Sequence, residues 1–216
     1  MCNLSSFANN GKKIVAVAAN YKSLMKILKI EPPKEPQIFI KPSTSYLTEG
    51  SPIVIPKGFA VNQEIELGVV IGTRAKKVSE SKAMDYVGGY CAALDMTAAD
   101  KIKEARSSGG SWTLAKGFDT ATPVSKFIPK SEVLDPYKLN IWCSVNGKLR
   151  QDAFVYDVHF NIAHLISFIS QYITLEPNDL ILTGAPPNFG PVKDKDVITA
   201  GIKDYVQMKF EVVEEK

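Results

Sequence analysis

The chain has 216 residues, 45% of them hydrophobic, and its 26 Lys and Arg against 23 Asp and Glu give a formal net charge of +3. That length suits one domain with a real core or two small ones, burying roughly 70% of the unfolded surface. The lysines are scattered, with no basic block interleaved with aromatics, and no apolar run reaches the ~18 residues of a membrane span, so neither nucleic acid nor membrane is an expected partner.

Residues 1–12 read as a flexible lead-in ahead of a single domain over residues 13–216. Lys13–Val17 is a short strand, and Leu24, Ile27 and Leu28 then recur at helical spacing until Pro32-Pro33. Gln37–Lys41 and Ile53–Ile55 are strands, and residues 64–71 form a buried one closed by Gly72. Residues 84–96 are apolar and small and deliver Asp95, after which Thr97-Ala-Ala-Asp100 reads as a capping-box variant that opens a helix. Ser107-Ser-Gly-Gly110 closes that helix and leads to Trp112-Thr-Leu-Ala-Lys116. Leu139–Val145 and Lys148–Gln151 flank Asn146-Gly147, a strong two-residue hairpin signal. Residues 157–173, with Ile162, Leu165, Ile166, Ile169 and Ile173, read as an amphipathic helix. Leu180–Thr183 is a buried strand, Gly184–Gly190 a stiff surface loop, and alternating Val206, Met208, Phe210 and Val212 a final strand. Strands dominate without regular βα alternation. The expected fold is therefore mixed and β-rich (α+β) rather than a doubly wound parallel sheet.

Cys2, Cys91 and Cys143 are odd in number and far apart, which reads as reduced intracellular thiols. The first 30 residues hold no acid, but no arginine precedes Arg74, so the location stays open between cytoplasm and mitochondrion.

The chemistry centres on Glu64-Ile-Glu66. Side chains alternate along a strand, so both carboxylates share a face. Like charges on a buried strand need compensation, most simply a hard divalent cation held by oxygens; a strand with one solvated face is the plain alternative. His159 and His164 fall on different helix faces with no metal-ligand cluster around them. Arg106 lies about three helical turns beyond Asp95.

Phe39-Ile-Lys-Pro-Ser-Thr-Ser-Tyr46, Glu64-Ile-Glu66-Leu-Gly, Tyr86-Val-Gly-Gly-Tyr-Cys-Ala-Ala-Leu-Asp95-Met-Thr, Trp112-Thr-Leu-Ala-Lys116-Gly-Phe, Val145-Asn-Gly-Lys-Leu-Arg-Gln151 and Ile181-Leu-Thr-Gly184 together resemble the fumarylacetoacetate hydrolase family. The likeness runs from Lys13 onward and points to the small single-domain branch, whose members include acylpyruvate hydrolases, oxaloacetate decarboxylases and oxaloacetate tautomerases. It implies a β-sandwich roll with a few peripheral helices, usually a homodimer, with Mg2+ (or Mn2+ or Ca2+) held by Glu64, Glu66 and Asp95. It further implies Lys116 as a catalytic residue and Lys41 and Gly184 as substrate-binding ones. The substrate would be a small 2-oxo acid of oxaloacetate or acylpyruvate type, enolised, decarboxylated or hydrolysed with the metal as Lewis acid.

Several family positions depart from the pattern. The lid His and Glu that activate water fall at Leu24 and Ile27, and the substrate-holding Arg and Gln fall at Ala99 and Ile102. Ala19 and Ala185 replace an Arg and a Thr. Asp95, Ala99 and Ile102 would share one helix face if the helix reached back to Asp95. Metal-assisted enolisation or decarboxylation is favoured over base-driven hydrolysis. The second reading is a member that keeps its metal site but serves as a binding or partner subunit.

Overall fold

The structure, a computed structural model, describes residues 3–216. A six-stranded mixed sheet runs in the order Ile128–Pro129, Val87–Leu94, Ile65–Ile71, Leu180–Leu182, Ile14–Val17, Ile38–Lys41. A five-stranded sheet runs Lys148–Phe154, Asn140–Val145, Val197–Ile202, Val206–Glu214, Ile53–Ile55. The two are packed face to face, Ile65–Ile71 and Val87–Leu94 meeting strands of the second sheet across the larger core. This strand-rich sandwich with a few helices at its edges is the expected mixed α+β architecture.

Burial explains the strand patterns. Ile65–Ile71 is buried at every position because it is covered on both faces, whereas Val206–Glu214 alternates because one face meets water. Asn146 and Gly147 both take positive φ, +52° and +75°, as a tight hairpin turn requires. In the Ile162–Tyr172 helix, Asn161 Oδ1 accepts from the His164 N–H at 2.8 Å, and the face bearing Leu165, Ile166 and Ile169 is buried.

Four expectations need correction. Residues 3–12 are not a loose lead-in: Leu4–Ser6 and Phe7–Asn10 form two short helical turns, and Phe7 is 2% exposed, edge-on to Tyr46. Burying such a ring is worth about 2 kcal/mol, and Asp179 Oδ1 accepts from the Lys12 and Lys13 N–H groups, anchoring the chain where the Ile14–Val17 strand begins. The Lys22–Leu28 helix stops at Lys29, in the left-handed region, before the two prolines are reached. Thr97 is no helix cap, since it pairs with Asn62 as a strand residue, while Asp100 Oδ1 accepts from the Ala60 N–H at 3.1 Å; the helix runs Ala99–Ser108. Finally, residues 183–186 are buried, so the Gly184 segment is not a surface loop there.

Candidate metal centre

Antiparallel register builds the site. Ile65 pairs with Leu94, which puts Asp95 opposite Glu64, and the Asp95 N–H donates to the Glu64 carbonyl at 2.8 Å. Glu66 lies on the same face two residues on. One carboxylate oxygen from each of Glu64, Glu66 and Asp95 falls within 4.8 Å of the others, an all-oxygen donor set suited to a hard divalent ion. The helix begins at Ala99, so Asp95 sits at a strand end and not on a helix face.

Two lysines compensate this charge. The Lys116 ammonium donates to Asp95 Oδ2 at 2.5 Å, Thr97 Oγ1 at 2.5 Å and Glu64 Oε2 at 3.2 Å. Lys41 donates to Asp95 Oδ1 at 2.5 Å and to the Ala121 carbonyl at 2.7 Å. Burial raises the Glu64 pKa, and burial followed by the Asp95 charge raises that of Glu66 well above the ordinary range. Burial also pushes Asp95 upward, but Lys116 and Lys41 outweigh it and the net direction is down. Burial pulls Lys116 down, yet the facing carboxylates carry it above the usual lysine value and keep it protonated.

Above the carboxylates opens a cavity of about 430 Å³. Glu64, Glu66, Asp95 and Lys116 line its floor. Lys41 is not among the lining residues: it is fully buried, with its ammonium on Asp95 Oδ1. Gly184 is likewise not a lining residue, because its N–H is committed to Glu66 Oε2 at 2.6 Å. Glycine is required at this point twice over, by a φ of +99° and by the Asn20 Cβ, 2.7 Å from where a side chain would begin. Leu24, Ala99, Ile102 and Ala185 all reach the cavity, while Ile27 is 61% exposed and turns away. Neither histidine lines it; His159 Nε2 lies against the Pro33 carbonyl and His164 against Glu80.

Three residues take roles that the sequence does not announce. Thr97 holds Lys116, a role hidden by its resemblance to a cap. Gln151 is fully buried and ties the carboxylate strand to the Gly184 segment, accepting from the Ile65 N–H at 3.1 Å and donating to the Pro186 carbonyl at 2.8 Å. Arg106 lines the cavity, its guanidinium 5.3 Å above the Trp112 ring. An arginine seven residues along the helix from Ala99 is the sequence signal that points to it.

Comparison with known proteins gives a consistent picture. The family model for the fumarylacetoacetate (FAA) hydrolase C-terminal region matches residues 13–213. A mitochondrial oxaloacetate tautomerase of Pongo abelii is 48% identical over 210 residues, covering 97% of this chain and 95% of that protein. A mitochondrial oxaloacetate decarboxylase of Dictyostelium discoideum is 43% identical, covering 97% and 98%. Fumarylpyruvate hydrolase from Pseudomonas aeruginosa, solved with Mn2+ and pyruvate, superposes with a TM-score of 0.89 at 27% identity, covering 95% of this chain and 91% of that one. No helix among the described residues is long and apolar enough to cross a membrane. The chain belongs to the fumarylacetoacetate hydrolase family.

Proposed function

We propose that this protein is a divalent-metal-dependent enzyme acting on a small 2-oxo acid of the oxaloacetate or acylpyruvate type. The convergence of Glu64, Glu66 and Asp95 beneath a cavity edged by Lys116 is the observation that carries this reading. Mg2+ or Mn2+ fits the three carboxylates, and a bound ion would supply Lewis acidity toward the substrate carbonyl. The names of the relatives and the Mn2+ and pyruvate of the hydrolase structure support the same chemistry.

Lys116 supplies fixed positive charge where oxyanion character develops, and its raised pKa makes it an electrostatic group and not a base. Lys41 and Gly184 act one layer back, orienting Asp95 and Glu66. Leu24, over the cavity, can move no proton. For a substrate with a carboxylate next to C3, such as oxaloacetate, that favours decarboxylation, in which the breaking C–C bond sends its electron pair toward the carbonyl as CO2 leaves, over hydrolysis by a base-activated water; enolisation would hand its C3 proton to solvent. The mitochondrial location of these relatives favours the mitochondrion over the cytoplasm. The family likeness favours a homodimer, which light scattering on the purified protein would check.

Turnover of oxaloacetate and acetylpyruvate with Mg2+ or Mn2+ is the test, with Glu66→Ala and Asp95→Ala as controls. Metal-dependent turnover lost in both variants is expected. If neither acid is turned over, the alternative of a non-catalytic partner subunit, which the Leu24 wall favours, takes its place. Metal-dependent thermal stabilisation by oxalate would count against that alternative.

A further inference from the structure

The cavity is far larger than the chemistry at its floor demands. At about 430 Å³ it lies within the range that encloses drug-sized ligands, whereas oxaloacetate has only four carbons. Its composition also changes with height. The floor is ionic, but Leu24 and Leu28 enclose the space from the helix beside it, Phe39 faces in from the edge strand with the Trp112 ring against it, and Ile102 and Phe189 complete the wall.

The charge balance at the floor selects the ligand head. Three carboxylates against the two ammonium groups of Lys116 and Lys41 leave one formal negative charge, which a divalent ion would turn into one positive charge. A single carboxylate neutralises that. Leu24, Ala99 and Ile102 offer a second carboxylate no hydrogen bond, and the polar lining residues Asn62, Thr97 and Gln37 carry no positive charge to offset its desolvation. Arg106 is the cation above the floor, and it lies exposed, its guanidinium stacked on Trp112. There it keeps its own hydration and needs no ligand charge to neutralise it.

We propose that this wall is a seat for an apolar chain of about six carbons, so that of the two substrate types above the acylpyruvate type with a hydrophobic tail is preferred to the short diacid, and the reaction on it is enolisation or C–C cleavage with no CO2 released. This rests on the functional reading above, and the test separates the two. The probes are oxamate, whose adjacent carboxylate and amide mimic the 2-oxo acid head, N-hexyloxamate, and N-(5-carboxypentyl)oxamate. Binding to the Mn2+-loaded protein is read by calorimetry and thermal shift, beside turnover of acetylpyruvate, its longer acyl homologues and oxaloacetate.

N-hexyloxamate is expected to bind about 100-fold more tightly than oxamate, somewhat under threefold per methylene. Ile102→Gln and, separately, Leu28→Asn should each cut that hexyl-to-parent ratio about tenfold. Leu28 is half exposed, so its variant is the safer folder, and Leu134→Gln, a fully exposed position outside the cavity, should leave the ratio unchanged. A ratio near one with oxamate still bound overturns the seat and leaves the functional reading standing. A tighter carboxypentyl probe whose advantage vanishes in Arg106→Gln also overturns it, in favour of a distal acid held by Arg106. A preserved ratio without turnover of any 2-oxo acid supports the seat and removes the enzyme; no binding of any probe overturns both.

Discussion

Glu66 and Leu28 line the same cavity, yet the first is 2% exposed and the second 50%. The floor's carboxylates are carried on buried strands or at their ends, and its charged groups are partnered: Asp95 by two ammonium groups, Glu66 by the Gly184 N–H, Lys116 by three oxygens. The wall nearest Leu24 is carried on a seven-residue helix, fastened at its start where Asp157 Oδ2 accepts from the Ser23 N–H. Charged groups in a buried floor lose heavily when any partner goes, so their positions are over-determined. Apolar wall residues lose only contact area and are free to set which molecule fits.

Removing Asp95 should break the comparison at its strongest point. Asp95→Ala deletes one carboxylate of the metal set and leaves Lys41 buried with an unpaired charge. Breaking a buried pair in this way costs about 3–5 kcal/mol, which for a chain of this length corresponds to a melting point roughly 10 °C lower. Calorimetric melting of the metal-free variant checks it; a shift of only a degree or two would mean that the floor is as forgiving as the wall.

Lys116→Met comes next. The ammonium competes with any cation for Asp95 and Glu64 while supplying charge to the reaction, so the two effects should separate. Turnover should drop about 100-fold, as for loss of one preorganised oxyanion donor, while Mn2+ binding holds or tightens. If Mn2+ binding weakens in step with turnover, Lys116 organises the carboxylates and does not act on the substrate.

Legibility in the sequence divides along the same line. Period-two spacing placed Glu64 and Glu66 on one face, and alternation or continuous burial marked the long strands, because those signals are local. Asp95 became part of the set through family likeness; its placement opposite Glu64 depends on a register between strands distant in sequence. Lys41 shows the limit most clearly, since a lysine before proline reads as a surface or ligand-facing residue and nothing in the sequence reveals that Asp95 and Ala121 enclose it. Thr97 misled for a related reason: its spacing from Asp100 satisfies a capping rule, but pairing with Asn62 claimed it first. Phe7 looked like lead-in because Asn9 and Asn10 follow it within a glycine-terminated segment, although its ring fills the second core.

Proton linkage sharpens the contrast from the floor's side. Glu66 keeps its proton above the ordinary 4.5, through burial first and the Asp95 charge second. A raised carboxylate favours the folded state at low pH, and that contribution is lost as pH rises through its folded pKa. A cation needs the ionised form, so Mn2+ affinity should climb up to about tenfold per pH unit above 4.5 and level off once Glu66 is ionised. Titration calorimetry between about pH 5 and about pH 8 reads this directly; a flat profile would place the proton elsewhere than on the carboxylate set.

The smallest effect is expected where the wall is rebuilt to move protons. Leu24 is nearly buried over the cavity, but Ile27, one turn on, points to water. Leu24→His alone would bring an imidazole to the carboxylates; Ile27→Glu would add a carboxylate with no line to the substrate. The double variant should raise acetylpyruvate hydrolysis less than tenfold over the parent, because a general base is worth its full 100-fold or more only when a second group fixes its tautomer and orientation. Comparing Leu24→His with the double variant isolates the second position. Equal rates would follow from the outward course of Ile27, whereas a large gain from Ile27→Glu would require the Lys22–Leu28 helix to turn inward when substrate binds, making the wall a moving part and not a fixed seat.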